Sequence, residues 1–440
     1  MVQAFNYIQE RFTIPVGSCK FKTQFVNLYK SRIDSLKPIL LKSLKEVDDT
    51  NLEIVSLTEL PKDKRSLISG ILYKEAPLKR NILKELAAEE KLENIKDSQL
   101  KPDRFISAED QIYIEDEVQR ICLKFPSPHM LNSLVTGIFC GIIGIEADAD
   151  PGHFNVESVV FPGQIFMSHV PRPLPNVSCI LGFVSGLNFP GQSVSSSPAH
   201  LMGLTLLGDW IRTCSTLNKL YICGNLIKIS DASLNLPKFI ARKNDAASLS
   251  AMRLFDQWLS DLPLGSNDGI SVEILPGNND CVSSMLPQQP FHSCCLPKSV
   301  SRSGRNKEAL KSVTNPMLSE VHGRRIIVSS GQNVNDIMKY TDYSDHLDAL
   351  EVTLKWGHLA PTCPDTLYGY PLLDQDPLAI KDDEWPDIYV VGNLNEVTKP
   401  RSKRINTKGT LLVALPEFST CQSLVLVDVS NLSVRVVDFK

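Results

Sequence analysis

The 440-residue sequence contains no C-x-x-C pair, and its eleven cysteines fall at irregular spacing. An odd set of scattered cysteines builds neither a zinc site nor a paired disulfide framework; it suits a reducing compartment with free thiols, nearly all expected to be buried. Only the vicinal Cys294-Cys295 is placed for redox chemistry. Long hydrophobic runs are also missing: the longest nearly apolar stretch, residues 134–145, is far short of the roughly 20 residues needed to span a bilayer. The opening MVQAFNYIQER has neither the basic nor the apolar region of a signal peptide, so a non-secreted chain is expected and the sequon Asn176-Val177-Ser178 should stay unmodified. Nor is positive charge in excess. With 46 Lys and Arg against 50 Asp and Glu, the net charge is −4, and any contact with nucleic acid or an anionic membrane must come from local patches.

What is present is plain globular composition, 42% apolar and 22% charged, on a chain long enough for two or three separate cores. Between Lys20 and about Val47, Phe21, Phe25, Leu28, Tyr29, Leu36, Leu40 and Leu44 recur at helical spacing, which predicts a helix that kinks or restarts at Pro38. It either packs on its own domain or docks a partner. Residues 51–164 change to strand character, with short apolar or alternating runs at 67–73, 111–114, 118–125, 134–145 and 154–161 and one helical insertion at 81–92. Five such strands fit a small barrel of the OB type. Residues 111–165 carry two basic against seven acidic side chains, so the barrel reads as structural or protein-binding rather than as a single-strand groove.

Beyond the Pro-rich residues 170–175, strands and helices alternate, and the chain closes on strands at 411–415, 424–429 and 434–439. Helices are expected at 200–212, 246–262 and 346–356. The expected architecture is therefore α+β and multidomain: a helical segment at 1–48, a barrel at 49–169 and an α/β domain at 170–440.

Five strands of the last region run straight into short polar loops: Ser185-Gly186-Leu187-Asn188, Gly224-Asn225-Leu226, Gly277-Asn278-Asn279-Asp280, Ser330-Gly331-Gln332-Asn333 and Gly392-Asn393-Leu394-Asn395. Loops leaving the carboxyl ends of such strands are where sites assemble, because glycine permits the sharp turn and short polar side chains converge there. Their order resembles the calcineurin-like phosphoesterases, whose blocks read D-x-H, G-D, G-N-H-[D/E], a lone H and G-H-x-H. On that resemblance the first aspartate corresponds to Ser185 and its histidine to Leu187, while Asn225 stands for the metal-bridging aspartate. Asn278 and Asp280 are kept, but Asn279 replaces the catalytic histidine, Ser330 the lone histidine, and Asn393 and Asn395 the last two. A two-metal centre needs anionic carboxylates and neutral imidazoles. Amides and hydroxyls do not supply them, so no catalytic residue, metal or other cofactor is expected. All eight histidines lie outside the five loops, and Gly182-Phe183-Val184-Ser185-Gly186 has the wrong spacing for a serine-hydrolase elbow.

The degenerate blocks behind a barrel resemble the B-subunit family of eukaryotic replicative DNA polymerases, most closely the small subunits of its polymerase delta branch. Further residues carrying the likeness are Leu286-Pro287-Gln288-Gln289-Pro290-Phe291-His292, the run from Ser330 to Ile337, Asp345-His346-Leu347, the run from His358 to Leu367 and Tyr370-Pro371. Upstream it extends through Gly70-Ile71-Leu72-Tyr73-Lys74 and Ile114-Glu115-Asp116-Glu117. The resemblance implies a nuclear, non-catalytic scaffold for DNA replication and repair, an OB fold joined to an inactive phosphoesterase domain. Its partners would be the catalytic subunit's cysteine-rich C-terminal domain and a third subunit that leads to the sliding clamp. Two basic stretches depart from this plan or stand apart from it: the lengthened 298–311, and Lys399, Arg401, Lys403 and Arg404, which suit DNA phosphate or nuclear import contacts. A solvated loop is the simpler reading of both. Two other function classes stay open on sequence: an active manganese-dependent phosphoesterase or nuclease, and a single-stranded-DNA-binding OB protein.

Overall fold

One closed barrel and two six-stranded sheets organise the chain in the computed structural model. Described are residues 5–7, 11–15, 17–19, 21–47, 52–79, 104–146, 150–171, 173–174, 178–191, 196–228, 246–264, 269–304 and 308–440. The chain opens with strand β1 (Phe5–Tyr7), followed by a helix at Val26–Val47. Barrel strands are β2 (Ser66–Glu75), β3 (Gln111–Glu115), β4 (Arg120–Lys124), β5 (Phe139–Glu146) and β6 (His153–Val160). They run in the order β2-β3-β4-β6-β5, and β5 pairs back to β2. Alternation explains the short strands: Ile112, Ile114, Ile121 and Leu123 point inward while their neighbours meet solvent. β5 bends at a register shift beside Gly144, where a Cβ would stand 2.1 Å from the Asn155 carbonyl oxygen. The helix expected at 81–92 lies outside the described residues.

The first helix begins at Val26, not at Lys20, and it runs as one element through Pro38 rather than restarting there. Its apolar face explains why. Leu36, Leu40 and Leu44 are buried with Leu67, Ile71, Phe139, Ile143 and Val160 of the barrel, and this packing offsets the backbone hydrogen bond that proline cannot donate. The helix therefore packs on its own chain. Phe21, N-terminal to it, is 68% exposed.

The rest of the chain forms β7 (Ile180–Val184), β8 (Leu217–Cys223), β9 (Ser271–Leu275), β10 (Leu310–Ser312), β11 (Met317–Val321) and β12 (Arg324–Ser329), then β13 (Ile388–Val391), β14 (Arg401–Arg404), β15 (Leu411–Ala414), β16 (Ser423–Asp428) and β17 (Val434–Asp438). One sheet runs β1-β11-β12-β13-β15-β14 and the other β10-β9-β8-β7-β16-β17. They stack face to face through a layer that includes Leu181, Phe183, Tyr221, Leu275, Met317, Val328, Val390, Val413 and Val425. Helices Pro198–Thr213 and Ala246–Ser260 cover the outer face of the second sheet. Helices Gln332–Tyr340 and His346–Trp356 cover the first. Strands buried on both faces read as unbroken apolar runs, which is why β8, β12 and β13 stood out in the sequence.

The core over the first sheet does not stop at those helices. Ile68, Leu72, Ile138 and Phe154 of the barrel belong to the same apolar cluster as Val334, Ile337, Leu350, Trp356 and Tyr389. Backbone also meets backbone there: at Gly137, φ 89°, a Cβ would stand 1.9 Å from the Pro361 carbonyl oxygen. Arg32 of the first helix seals the junction. Its guanidinium donates to Gly137 O, Pro361 O and Cys363 O and pairs with Asp376 at 2.6 Å.

Three expectations need correcting. Arg401, Lys403 and Arg404 lie on edge strand β14, not on a loop, because its backbone pairs antiparallel with β15, Arg401 opposite Ala414 and Arg404 opposite Leu411. The exposed side chains then find acids nearby, Arg401 pairing with Asp345, and Lys403 with Asp348 and Glu351. Lys399 is exposed just before this strand. In the stretch 298–311, the described part is largely ordered structure, a helix at Pro297–Ser303 and strand β10, rather than loop. Finally, only Cys140, Cys179, Cys223, Cys363 and Cys421 are buried, while Cys281 and Cys294 are exposed and Cys19, Cys122, Cys214 and Cys295 lie between. Of the buried ones, Cys140 and Cys223 sit on strands, Cys179 just ahead of β7, Cys363 in a packed turn and Cys421 at the end of the short helix Phe418–Cys421. Of the others, Cys122 is central in β4 but on its outward side, and the rest lie in loops or near helix ends.

Candidate functional site

The five strand-end loops gather at one end of the stacked sheets. β7, β8 and β9 bring three of them from the second sheet, and β12 and β13 bring two from the first. Backbone bonds knit them together: Gly186 N donates to Gly224 O at 3.0 Å, Asn188 N to Asn225 O at 3.0 Å, and Gly392 N to Ser329 O at 2.9 Å. Close approach demands the glycines. A Cβ on Gly277 would stand 2.2 Å from the Asn225 amide nitrogen. Asn188, Asn225 and Asn393 hold left-handed backbone with φ of 47°, 52° and 49°, a region that asparagine tolerates better than most side chains.

Between the loops lies a cavity of about 340 Å³, lined by Asn225, Asn278, Asn279, Ser330, Asn393 and Asn395 among the sequence-singled positions. The others lie elsewhere. Ser185 is buried beneath the loop, accepting from Asn393 N and donating to Pro416 O, both at 3.0 Å. Leu187 faces the apolar core. Asp280 is buried as well, and its carboxylate is taken up by the backbone, accepting from Gly277 N at 2.7 Å and Leu226 N at 2.8 Å. Burial pushes its carboxyl up to about 6, against the pull of those amides. Lys399, Arg401, Lys403 and Arg404 belong to the region of β14 and line no part of the cavity.

The polar side chains around the cavity bond mainly to one another. Asn225 Oδ1 accepts from Asn279 N at 3.2 Å, and its Nδ2 donates to Glu417 Oε1 at 3.1 Å. Asn188 Nδ2 donates to the other Glu417 oxygen at 2.8 Å. Asn393 Nδ2 donates to Cys223 O and Ser330 O, at 2.7 and 2.9 Å. On the far wall Asn315 Nδ2 donates to Gln288 Oε1 and to Ser330 Oγ, both at 2.7 Å, and Ser330 Oγ donates to Gln332 Oε1 at 2.6 Å. Among the described residues no three His, Cys, Asp or Glu side chains converge as a metal cluster would require. Amides and hydroxyls predominate in the lining, and its two carboxylates are already engaged: Glu417 accepts from Asn188 and Asn225, and Asp336 from the Thr366 hydroxyl. Amides orient hydrogen bonds but carry no charge to hold a divalent ion or lower the pKa of a bound water.

Sequence reading missed Glu417, the carboxylate that ties two of the loops together. It follows β15 through Leu415-Pro416, an exit without glycine, so the Gly-Asn pattern did not reach it. Gln288, Asn315 and Asn335 were missed as well. Gln288 and Asn315 come from connections whose polar residues have no periodic or glycine signal, and Asn335 from the first turn of the helix Gln332–Tyr340, although Gln288 and Asn335 both sit in runs that carried the family likeness. One histidine does approach a loop: His200 Nε2 donates to Leu187 O at 2.9 Å from beneath, and burial lowers its pKa.

The comparisons with known proteins agree on one kind of relative. The family model for the B-subunit of DNA polymerases alpha and epsilon matches residues 181–399, and that described as DNA polymerase delta subunit OB-fold domain matches residues 24–159. The second match covers the barrel and the helix packed on it, so the expected OB fold is present. DNA polymerase delta subunit 2 of Drosophila melanogaster is 30% identical over 436 residues, 95% of this chain and 94% of that protein. The DNA polymerase delta small subunit of Saccharomyces cerevisiae is 30% identical over 469 residues, 95% of this chain and 89% of the relative. That of Oryza sativa subsp. japonica is 28% identical, over 99% and 97% of the two chains.

Proposed function

The chain belongs to the DNA polymerase delta small-subunit family, and from that premise we propose that it is the non-catalytic scaffold of its polymerase complex. In this role it bridges the cysteine-rich C-terminal domain of the catalytic subunit and a third subunit that leads to the sliding clamp. It acts in the nucleus, in replication and repair synthesis, and DNA is held mainly by its partners. Residues 1–48, expected as a helical segment, serve to add strand β1 to the first sheet and to pack a helix on the barrel, with 49–169 as the OB domain and 170–440 as an inactive phosphoesterase-like domain.

The observation that carries the reading is the use made of Asn225. In a working centre its position would offer a carboxylate to two metals, whereas here its amide closes a hydrogen bond to Glu417 and another to the Asn279 backbone. Asp280 is likewise committed to backbone amides. Ser185, Leu187, Asn278, Asn279, Ser330, Asn393 and Asn395 complete a set of vestigial positions whose loops are retained as architecture. Function is thereby assigned to surfaces that join subunits rather than to a reaction at these loops.

The test is co-expression of the full chain with the C-terminal domain of a polymerase delta catalytic subunit. A stoichiometric complex that survives purification at moderate salt is the expected result. Failure to co-purify would overturn the scaffold reading. Release of phosphate or nucleotides by the purified chain with manganese, abolished by Asn278→Ala, would instead return it to the hydrolases.

A further inference from the structure

A broad, open groove of about 1050 Å³ crosses the outer face of the second sheet, away from the cavity just described. Three helices form it. Arg212 comes from the last turn of Pro198–Thr213, Gln257 and Ser260 from the end of Ala246–Ser260 with Asp261 following, and Lys298, Ser301 and Arg302 from Pro297–Ser303. Asp256 fixes the third helix against the second, accepting from Lys298 N and Ser299 N, both at 2.9 Å. The groove walls are therefore set by buried contacts rather than by loop position.

Its charge is unusual for this chain. Three cations line it against the single carboxylate of Asp261, on a protein whose net charge is −4. Asp209 pairs with Arg212 and Gln257 accepts from Lys298. Arg302 is exposed and has no ion pair among the described residues. Such a groove attracts an anion whose charges are spaced out and interspersed with hydrogen-bonding backbone. We propose that it docks an acidic peptide segment of a partner protein, with Arg302 and Lys298 taking its carboxylates and Gln257, Ser260 and Ser301 its main chain.

Two features favour a peptide over a nucleic acid. No aromatic ring lines the groove among the described residues, so bases would have nothing to stack on. Asp261 in the groove wall would oppose the continuous charge of a phosphate backbone but can accept from the amides of a peptide. This inference deepens the scaffold reading and rests on it only for what the peptide belongs to. Co-purification tests the scaffold, whereas the assay below reports on the groove alone.

The experiment measures fluorescence anisotropy of a labelled ten-residue Glu/Ser peptide with the full chain, beside a scrambled-charge Lys/Ser peptide and a ten-nucleotide single strand. Selective, salt-sensitive binding of the acidic peptide is expected, weakened about tenfold or more in Lys298→Glu/Arg302→Glu and by a smaller factor in the milder Lys298→Gln/Arg302→Gln. Thermal unfolding checks that both variants fold. Equal affinity in the folded variants, no affinity in the parent, or tighter binding of the oligonucleotide would each overturn the proposal.

Discussion

The Arg32 guanidinium lies 2.6 Å from the Asp376 carboxylate, and neither side chain reaches solvent. His358 Nε2 donates to the same carboxylate at 2.9 Å, while His358 Nδ1 accepts from Ala360 N at 3.1 Å, which places the imidazole proton on Nε2. Burial alone would raise the Asp376 carboxyl, but Arg32 and His358 hold it well below the ordinary range. The ion pair is thus fully formed, and every donor of Arg32 that faces the junction has an acceptor on another part of the chain.

Replacing Arg32 by Met should cost about 3–5 kcal/mol, because it strands a buried carboxylate and three carbonyls. Arg32→Lys should recover little, since a single ammonium cannot reach the same four acceptors. Urea denaturation of the two variants checks this. A loss under about 1 kcal/mol in Arg32→Met would mean that the pair does not hold the junction.

Asp280→Ala removes the acceptor for Gly277 N and Leu226 N and should lower stability by about 3 kcal/mol. Asn278→Ala, on the cavity wall, should change stability by less than about 1 kcal/mol. Thermal melts of both proteins separate the buried role from the peripheral one. Equal effects would contradict the assignment of Asp280 to the backbone.

In Asn225→Asp a carboxylate oxygen would replace the amide that now sits 3.1 Å from Glu417 Oε1. The two carboxylates should repel at neutral pH and lower stability by about 2 kcal/mol. The folded pKa of the pair is then raised, so the penalty should fade on acidification and grow as pH rises. Adding Glu417→Gln should restore most of the loss. Denaturation across pH 5 to 8, with the double variant, measures this coupling.

Acid should destabilise the chain through His358. Burial lowers its pKa to about 4, with the positive charge of Arg32 pushing the same way. The unfolded histidine binds a proton near its ordinary value of about 6.5, so stability is greatest above that value and is lost as pH falls toward about 4. Asp280 works in the opposite direction: its carboxyl, raised to about 6, gives stability at low pH that is lost as pH rises through that value. His358→Gln should therefore flatten the acid-side loss, and Asp280→Asn should steepen it. Unfolding free energies from pH 4 to 8 test both slopes, and parallel profiles for parent and variants would refute them.

Much of the fold was legible because its strands carry their own signal. β8, β12 and β13 are apolar on both faces, and β3 and β4 alternate, so run length and periodicity located them without tertiary information. The loops after them were legible for a related reason: glycine and left-handed asparagine are demanded by the local backbone. What could not be read depends on partners distant in sequence. β14 is a strand because its backbone pairs with β15, and its cations, which obscured that pairing in the sequence, meet acidic side chains at 345, 348 and 351. Glu417 meets Asn188 and Asn225 across more than 190 positions. Gly137 carries no signal of its own in the sequence, because what demands a glycine there is the carbonyl of Pro361, far along the chain.

The shared core between the barrel and the first sheet also has a mechanical meaning. A protein that joins two others through a soft connector lets them wander over a range of distances, and it acts as a rope. Here the barrel, its helix and the sheets are bonded by a common apolar interior and a sealed ion pair, so the chain has the stiffness of a ruler. In the proposed scaffold role, a partner on the barrel and another on the sheets are thereby held at a set distance and angle.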